Sequence, residues 1–392
     1  MAHPPQIDPI LDRLGDYREQ LRQVREIVLA NAVMFGEIPA PTFGEERRIR
    51  FLCDRYTESG LQNISTDELQ NGTAILPGSE GKRNILVSAH VDTPFLESVD
   101  HTVSVESGTI RGPGIADNSL GLAVIASLPA MLEKLGIELK SNIIFLGSTR
   151  SLGKGDLQGL RFFLENVKVP IHAAICVEGS QSGRLSYSCL GMLRGEITVT
   201  VPDELNWNSF GHRGAISGIN RIITNILAIP TPEEPQTSII LGSVNAGTGF
   251  NRPPMSATLR FEVRSEQVGM IGQIYNHISS IVEEVDAEGH LNATLDIMSR
   301  RKPGGIPFSH PLVQTTRAVM DRLGIEPQIA PSVGDLSAVV DNQIPGVTIG
   351  ITKGRKRQQM DESIEIEPMF GGLAELIGVL TAIDEGVCDE QD

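Results

Sequence analysis

The sequence predicts an α/β fold, in which a mainly parallel sheet with helices on both faces is interrupted by a smaller domain. Three observations predict it. Short apolar runs alternate with helical stretches in both the first and last parts of the chain, as in parallel α/β folds. Between about 191 and 299 the order changes to β-α-β-β-α-β, a ferredoxin-like unit. The length of 392 residues also exceeds the ~100–200 residues that are usual for one domain.

The elements follow from apolar spacing, with Pro39 and Pro41 ending the first helix. In chain order the patterns predict helices at 9–38 and 45–58, a strand at 84–92, a helix at 119–135, strands at 142–150 and 173–179, and a final strand at 345–354. We therefore expect a discontinuous catalytic-type domain over 1–190 and 300–392. A domain over 191–299 would be inserted into it.

The overall charge narrows the classes of partner. The net charge of −16 repels nucleic acid and anionic membranes, so neither is an expected partner. The four cysteines are scattered without a CxxC pair, which disfavours a disulfide framework or a cysteine zinc site. The N-terminal region is an amphipathic charged helix rather than a signal peptide, and we see no apolar run of the ~20 residues that a membrane span needs. A cytoplasmic protein is expected.

Three segments carry candidate metal ligands. SAHVDTP (88–94) places His90 and Asp92 at the carboxyl end of a strand, where α/β ligand sites lie. There His90 would bind a metal while Asp92 orients its ring, although a structural role is equally compatible with this triplet. Asp117, in GPGIADNSLGLA (112–123), is either a helix N-cap or a bridging carboxylate. Glu178 ends an apolar strand, where a carboxylate needs a partner. His90, Asp117 and Glu178 together suit zinc.

The order of these motifs resembles the zinc hydrolase family of aminoacylase, peptidase T and succinyl-diaminopimelate desuccinylase. Further similar stretches are NWNSFG (206–211), GSVNAGTGFNRPPMSATLRFEVRS (242–265) and QIPGVTIG (343–350). The resemblance implies hydrolysis of amide bonds in peptides or N-acyl amino acids, usually with two zinc ions, and a homodimer formed through the inserted lid domain. It also implies that Asn251 and Arg264 hold substrate or shape the lid, and that Asp335 lies near the substrate or caps a helix.

The chain departs from the family pattern at three places. The family's catalytic Glu-Glu pair falls on Arg150–Ser151 or on Ser151–Leu152, so no carboxylate is supplied. The family's C-terminal histidine ligand is replaced by Gln358, and no histidine follows His310. Leu205 stands at the position of the lid histidine, with His212 nearby as a substitute or a surface residue. At most one zinc ion per chain is therefore expected.

Three functions remain open from the sequence. The first is weak or absent hydrolysis with retained binding of a small acidic or peptide-like ligand, such as an N-acyl amino acid. The second is a working single-zinc peptidase or amidohydrolase with a substitute base. The third is a non-catalytic structural protein, which the retention of four buried polar groups disfavours. We further hypothesise that Arg150 supplies a fixed positive charge in place of the second metal and binds carboxylates. Arg355–Arg357 would act similarly unless that run is a solvated loop.

Overall fold

The computed structural model describes residues 7–202 and 214–390. Contacts between residues divide the chain into two units. Unit 1 consists of Met1–Cys189 and Gly305–Asp392, and unit 2 consists of Leu190–Gly304.

The helices and strands are numbered in chain order. The helices are α1 (Asp8–Leu21), α2 (Arg25–Glu37), α3 (Glu46–Glu58), α4 (Leu120–Leu135), α5 (Gln158–Asn166), α6 (Gly214–Leu227), α7 (Val268–Ala287), α8 (Pro311–Leu323), α9 (Leu336–Asp341) and α10 (Met369–Asp384). The strands are β1 (Gln62–Thr66), β2 (Gly72–Leu76), β3 (Asn84–His90), β4 (Ser104–Val105), β5 (Thr109–Arg111), β6 (Asn142–Ser148), β7 (Ala173–Glu178), β8 (Arg184–Ser186), β9 (Ser188–Cys189), β10 (Gly191–Thr200), β11 (Thr237–Ala246), β12 (Ser256–Ser265), β13 (Asn292–Arg301), β14 (Gly304–Gly305), β15 (Gln328–Ile329), β16 (Gly346–Gly350), β17 (Gly354–Arg355) and β18 (Ser363–Glu365).

The main sheet of unit 1 has eight strands in the order β1-β2-β6-β3-β7-β16-β8-β15. The central strands β6, β3, β7 and β16 are mutually parallel, whereas β1 and β2 extend one edge in antiparallel fashion and β8 runs antiparallel to β16. β3 and β7 are buried along their whole length, which explains why they are near-continuous apolar runs. The predicted α/β class is confirmed, with a parallel centre inside a mixed sheet.

Alternation along each central strand sends side chains to two separate cores. On β3, Ile85 and Val87 pack into a core that also contains side chains of α1, α2, α4 and α10. Leu86, between them, packs into a second core with Leu160 of α5 and Val339 of α9. Since successive side chains of a strand point to opposite faces, helices cover both faces of the sheet.

The N-terminal helix differs from the sequence expectation. Instead of one helix over 9–38, α1 and α2 are separated by a single 3-10 turn at Arg22–Val24. α1 packs against α10, whereas α2 packs against α4. The break allows α1 and α2 to pack against different helices. The apolar spacing in the sequence does not reveal this break.

The segment Ile115–Leu135 is long and apolar enough to cross a membrane, which corrects the expectation that no such run exists. Within the fold, 89% of its most apolar stretch is buried. It is the turn before α4 followed by α4 itself, and α4 packs against α2, β3 and β7. Such burial is typical of the central helix of a folded domain.

Unit 2 contains β10, α6, β11, β12, α7 and β13 in that order. Its sheet is antiparallel with the order β11-β12-β10-β13, so the first strand in sequence lies between the third and fourth. One core joins Ile222 of α6, Ile274 of α7 and Leu259 of β12. The arrangement is the split β-α-β fold that the order of elements predicts.

Candidate metal centre

The candidate site lies at the carboxyl ends of two neighbouring strands of unit 1. His90 is the last residue of β3 and Glu178 the last residue of β7, and these strands are parallel neighbours. Their ends therefore meet at the same edge of the sheet, where α/β folds bind ligands. Asp117 joins them from the turn before α4. One ligand atom from each of these three buried side chains lies within 4.8 Å of the others.

Asp92 holds His90 from the side away from Asp117. The His90 Nδ1 lies 3.1 Å from the Asp92 main-chain oxygen and 3.6 Å from Asp92 Oδ1, while His90 Nε2 lies 3.1 Å from Asp117 Oδ1. The Asp92 carboxylate in turn accepts hydrogen bonds from Thr42 Oγ1 (2.8 Å) and from the Leu152 main-chain N–H (2.8 Å). Burial lowers the pKa of His90, but hydrogen bonds to Asp117 and Asp92 outweigh burial and hold this pKa well above its ordinary value.

Asp117 faces the ligand cluster and does not cap α4, whose N-cap position is taken by Ser119. The turn is fixed by Asn118, whose Nδ2 donates to the Val177 main-chain oxygen at 2.9 Å and whose Oδ1 accepts from the Gly179 N–H at 2.7 Å. This amide ties the turn to the end of β7 and so aims Asp117 at His90. Burial raises the pKa of Asp117, but the contact with His90 outweighs it and leaves the pKa well below its ordinary value.

Two arginines flank the carboxylates. Arg357 Nη2 lies 3.1 Å from Asp117 Oδ2 and 3.7 Å from Glu178 Oε2. Arg184 Nη1 lies 3.6 Å from the other oxygen of Glu178. The Gln358 Nε2 adds a hydrogen bond of 3.1 Å to Asp117 Oδ2. Glu178 Oε2 is buried and has no hydrogen-bond partner among the described residues, although Arg357 balances its charge.

Comparison with known proteins identifies the fold family. The family model described as peptidase family M20/M25/M40 matches residues 86–381. The chain belongs to this family. The resemblance inferred from the motifs is thereby confirmed.

Solved structures of M20-type proteins share the whole fold. A tripeptidase from Staphylococcus aureus superposes with a TM-score of 0.75 at 16% identity, covering 92% of this chain and 98% of that one. Human carnosine dipeptidase 1 gives a TM-score of 0.76 at 10% identity, covering 97% and 100%. A Bacillus subtilis protein described as a dinuclear metal-binding M20 peptidase gives 0.65 at 17% identity, covering 92% and 99%. At these identities the likeness shows the fold alone, and no curated protein sequence matches the chain.

The donor set of this M20 centre fits one divalent ion. It offers one imidazole and two carboxylates, all buried, and within the described part of the chain Glu178 Oε2 has no hydrogen bond that a metal would need to break. Among residues 7–202 and 214–390, no other group of three histidine, cysteine or acidic side chains converges in this way.

Among the residues that the structure describes, no second set of metal ligands adjoins this cluster. The resemblance places the family's glutamate pair at Arg150–Ser151 or Ser151–Leu152, and the main-chain N–H groups of Ser151 and Leu152 point at Asp92 (3.2 and 2.8 Å). Gln358, where the resemblance places the family's histidine, donates its amide Nε2 to Asp117 Oδ2 at 3.1 Å, and an amide NH₂ group is not a metal ligand.

Arg150 contacts Phe43 and Glu45 rather than the three candidate ligands. Its guanidinium carbon is 5.6 Å from the centroid of the Phe43 ring, and its main-chain N–H donates to Glu45 Oε1 at 2.8 Å. The cation that contacts Asp117 is Arg357, from the run that the sequence analysis treated as the secondary candidate. Whether Arg150 or Arg357 contacts Asp117 depends on the conformation of the loop that carries Arg357, which the sequence does not reveal.

The other predicted substrate residues belong to unit 2. Asn251 is exposed in the turn between β11 and β12. Arg264, on β12, forms an ion pair with Glu262, which also pairs with Arg194. His212 and the NWNSFG segment lie outside the described residues. The roles assigned to Asn251, Arg264 and His212 stay predictions.

Two further buried carboxyls belong to the surroundings of the site. Asp335 stands at the N-cap position of α9 without capping it, and its Oδ2 lies 3.4 Å from Ser148 Oγ at the end of β6. Burial, reinforced by the charges of Glu178 and Asp92, raises the pKa of Asp335 to about 6, against the opposing effect of His90. Glu362, assigned no role from the sequence, accepts hydrogen bonds from Gln358 N (2.9 Å) and, in the turn before α4, from the N–H of residue 116 (3.2 Å). Burial raises its pKa to about 7.

Proposed function

We propose that this chain binds a small peptide-like or N-acyl amino acid ligand at the candidate metal centre, where the carboxyl ends of β3 and β7 meet. The centre holds at most one zinc ion. The chain hydrolyses amide bonds weakly or not at all. The observation that carries the proposal is the asymmetry of the centre. His90, Asp117 and Glu178 converge as one ligand set, whereas Gln358 donates to Asp117 where the family's second set would begin. The dinuclear description of the Bacillus subtilis relative makes this contrast informative.

A zinc ion held by these three residues would polarise a substrate carbonyl and lower the pKa of a bound water. The protein's own contribution is to orient and to shield. Asp92 fixes the ring of His90, and the N–H groups of Ser151 and Leu152 hold Asp92 in place. No side chain of the segment 149–152 is a carboxylate, so the usual proton acceptor is missing from that loop. The loss of a general base costs about 10²–10⁴-fold in rate.

A single-zinc hydrolase with a substitute base is the second candidate, and Asp335 is the observation in its favour. Its carboxyl is buried at the same edge of the sheet, beside Ser148 at the end of β6. A pKa of about 6 is well placed for a proton acceptor near neutral pH. The replacement Asp335→Asn separates the two functions, since it would abolish turnover only if Asp335 is the base.

The test is a parallel assay of the zinc-loaded chain and a zinc-loaded M20 dipeptidase on a panel of dipeptides and N-acyl amino acids. We expect a kcat/KM at least about 10²-fold below the reference enzyme. We also expect at most one zinc per chain, lost in His90→Ala, and measurable binding of at least one unhydrolysed ligand by calorimetry. Turnover equal to the reference, or two zinc ions per chain, would contradict the proposal.

Dimerisation through unit 2 and a cytoplasmic location are part of the same proposal. Strand β11 pairs with β12 alone in the sheet of unit 2, and it carries exposed apolar side chains at Ile240 and Val244. An apolar edge strand of this kind tends to pair with another chain. Light scattering of the purified protein tests the dimer, since a monomer at micromolar concentration would contradict it.

A further inference from the structure

The feature that the metal-ligand set leaves unexplained is a guanidinium inside the cluster. Two buried carboxylates need a cation close by, because an unpaired charge in a buried site is costly. A single nitrogen of Arg357 contacts one oxygen of Asp117 and approaches one oxygen of Glu178, at 3.1 and 3.7 Å. These are two of the three side chains that would ligate a metal ion. Burial lowers the pKa of Arg357, but attraction to the two carboxylates outweighs it, so the guanidinium stays charged.

The loop that carries Arg357 is anchored independently of its guanidinium. Glu362 accepts the Gln358 N–H at 2.9 Å, and the Gln359 N–H donates to the Lys356 main-chain oxygen at 3.0 Å. Lys356 and Gln358, on either side of Arg357, both have left-handed backbones, with φ of 56° and 61°. Such conformations are unfavourable for residues other than glycine and persist where the surroundings impose them. The turn therefore holds Arg357 towards Asp117 while the Lys356 side chain pairs with Asp361 at the surface.

We propose that the Arg357 guanidinium is the cation that neutralises the carboxylates of this centre when no metal ion is bound. A divalent ion then binds only by displacing the Arg357 guanidinium from Asp117 and Glu178. The inference rests on the proposed function, because it concerns the same three ligands. It assigns to Arg357 the role of setting metal affinity. A guanidinium and a metal ion held by the same two carboxylates repel each other at short range, so both cannot be held there at full strength.

Zn²⁺ titration of the full-length chain tests this competition. Arg357→Met removes the charge and keeps an unbranched stem, and Arg357→Gln does so with a polar side chain. Lys356→Met is the matched control, since it deletes one positive charge from the same turn without touching the ligands. We expect both Arg357 variants to bind Zn²⁺ at least tenfold more tightly than the wild-type chain, and Lys356→Met to bind it as the wild type does.

Thermal unfolding gives a second readout that is independent of activity. Without metal, Arg357→Met removes the cation shared by the two carboxylates and leaves Asp117 with His90 and Glu178 with Arg184, so its Tm falls below that of the wild type. Zn²⁺ raises the Tm of the variant more than it raises the wild-type Tm. Visible absorption of bound Co²⁺ that disappears in Arg357→Met/His90→Ala confirms that the ion occupies the proposed ligands. If Arg357→Met is insoluble, the Kd of Arg357→Gln decides the question.

The outcomes separate this inference from the proposed function. One zinc per chain with the same Kd in wild type and both Arg357 variants overturns the role of Arg357 and leaves the single-metal function standing. An equal gain in Zn²⁺ affinity in Lys356→Met also overturns the role of Arg357, because the gain would then come from the net charge of the loop. Two zinc ions per wild-type chain would overturn the proposed function itself.

Discussion

A buried glutamate in the last helix provides a sharp test of how the core of unit 1 is built. Glu375 lies in the middle of α10 and is fully buried, and neither carboxyl oxygen has a hydrogen-bond partner in residues 7–202 and 214–390. Burial alone raises its pKa well above the ordinary value. Glu375→Met replaces the carboxyl by an apolar chain of similar length, which suits an irregular core. Removing an unsatisfied buried polar group stabilises a fold by about 1–3 kcal/mol.

The raised pKa of Glu375 also predicts how the free energy of unfolding changes with pH. Because the folded-state pKa is raised, the wild-type chain has its full stability below the pKa of an unfolded glutamate and loses stability as pH rises through the folded value. Between these two values the loss amounts to about 1.4 kcal/mol per pH unit. Glu375→Met does not titrate, so its advantage over the wild type widens from pH 5 to pH 8.

Urea unfolding followed by circular dichroism at both pH values measures these differences. Glu375→Gln is the matched control, since it keeps an unpaired polar group and removes the titration; it should flatten the pH dependence with a smaller gain in stability. A Glu375→Met chain that is less stable than the wild type at pH 8 would refute the reasoning, because it would mean that the carboxylate has a stabilising partner.

Three further predictions concern the frame of the site. Gly372→Ala should destabilise the chain in urea unfolding, because the added Cβ would lie 2.0 Å from the main-chain oxygen of Ile351. Gly371→Ala, whose Cβ would lie 3.6 Å from its nearest atom, should leave the stability unchanged. Equal effects of the two substitutions would exclude a steric cause. Because burial raises the pKa of Glu362 to about 7, the wild-type chain should lose about 3 kcal/mol of unfolding free energy as the pH rises from 5 to 8. Glu362→Gln cannot ionise and should not show this loss. An unchanged pH profile in the variant would contradict this. Asp92→Asn should weaken Zn²⁺ binding about 10–100-fold in a calorimetric titration, because it loses the charge that orients the imidazole; unaltered affinity would assign the residue a purely structural role.

The fold was accessible from the sequence because its signals are local and repeated. Fully apolar runs such as those around Ile85 and Ile175 are required of strands buried on both faces, and the carboxyl ends of such strands meet at one edge. His90, Asp92 and Glu178 stand at or just beyond those ends, so their proximity followed from strand order. Asp117 could not be separated from a helix cap by sequence, because the deciding contacts, through its neighbour Asn118, reach to the end of β7.

The identity of the cation is the clearest case that sequence could not decide. Arg150 stands at the end of the strand that the sequence predicts over 142–150 and was the natural candidate, whereas Arg357 lies in a charged run that is usually solvated. The choice depends on left-handed turns at Lys356 and Gln358 and on a carboxylate, Glu362, that pins the loop. Neither feature has a sequence signature, since the backbone conformation of non-glycine residues in a loop is imposed by distant contacts.

The sequence by itself therefore determined the class of fold and the strand ends that carry the candidate metal ligands, and through the family resemblance it predicts an incomplete second metal set. These depend on residue identity and on spacing within single elements. The tertiary structure alone decided which charged groups meet Asp117 and Glu178. The ion pairs of Arg357 with Glu178 and Asp117 span 179 and 240 residues of chain and depend on how loops fold onto the sheet. The free energy of a buried ion pair is set by distances and burial that no local pattern encodes.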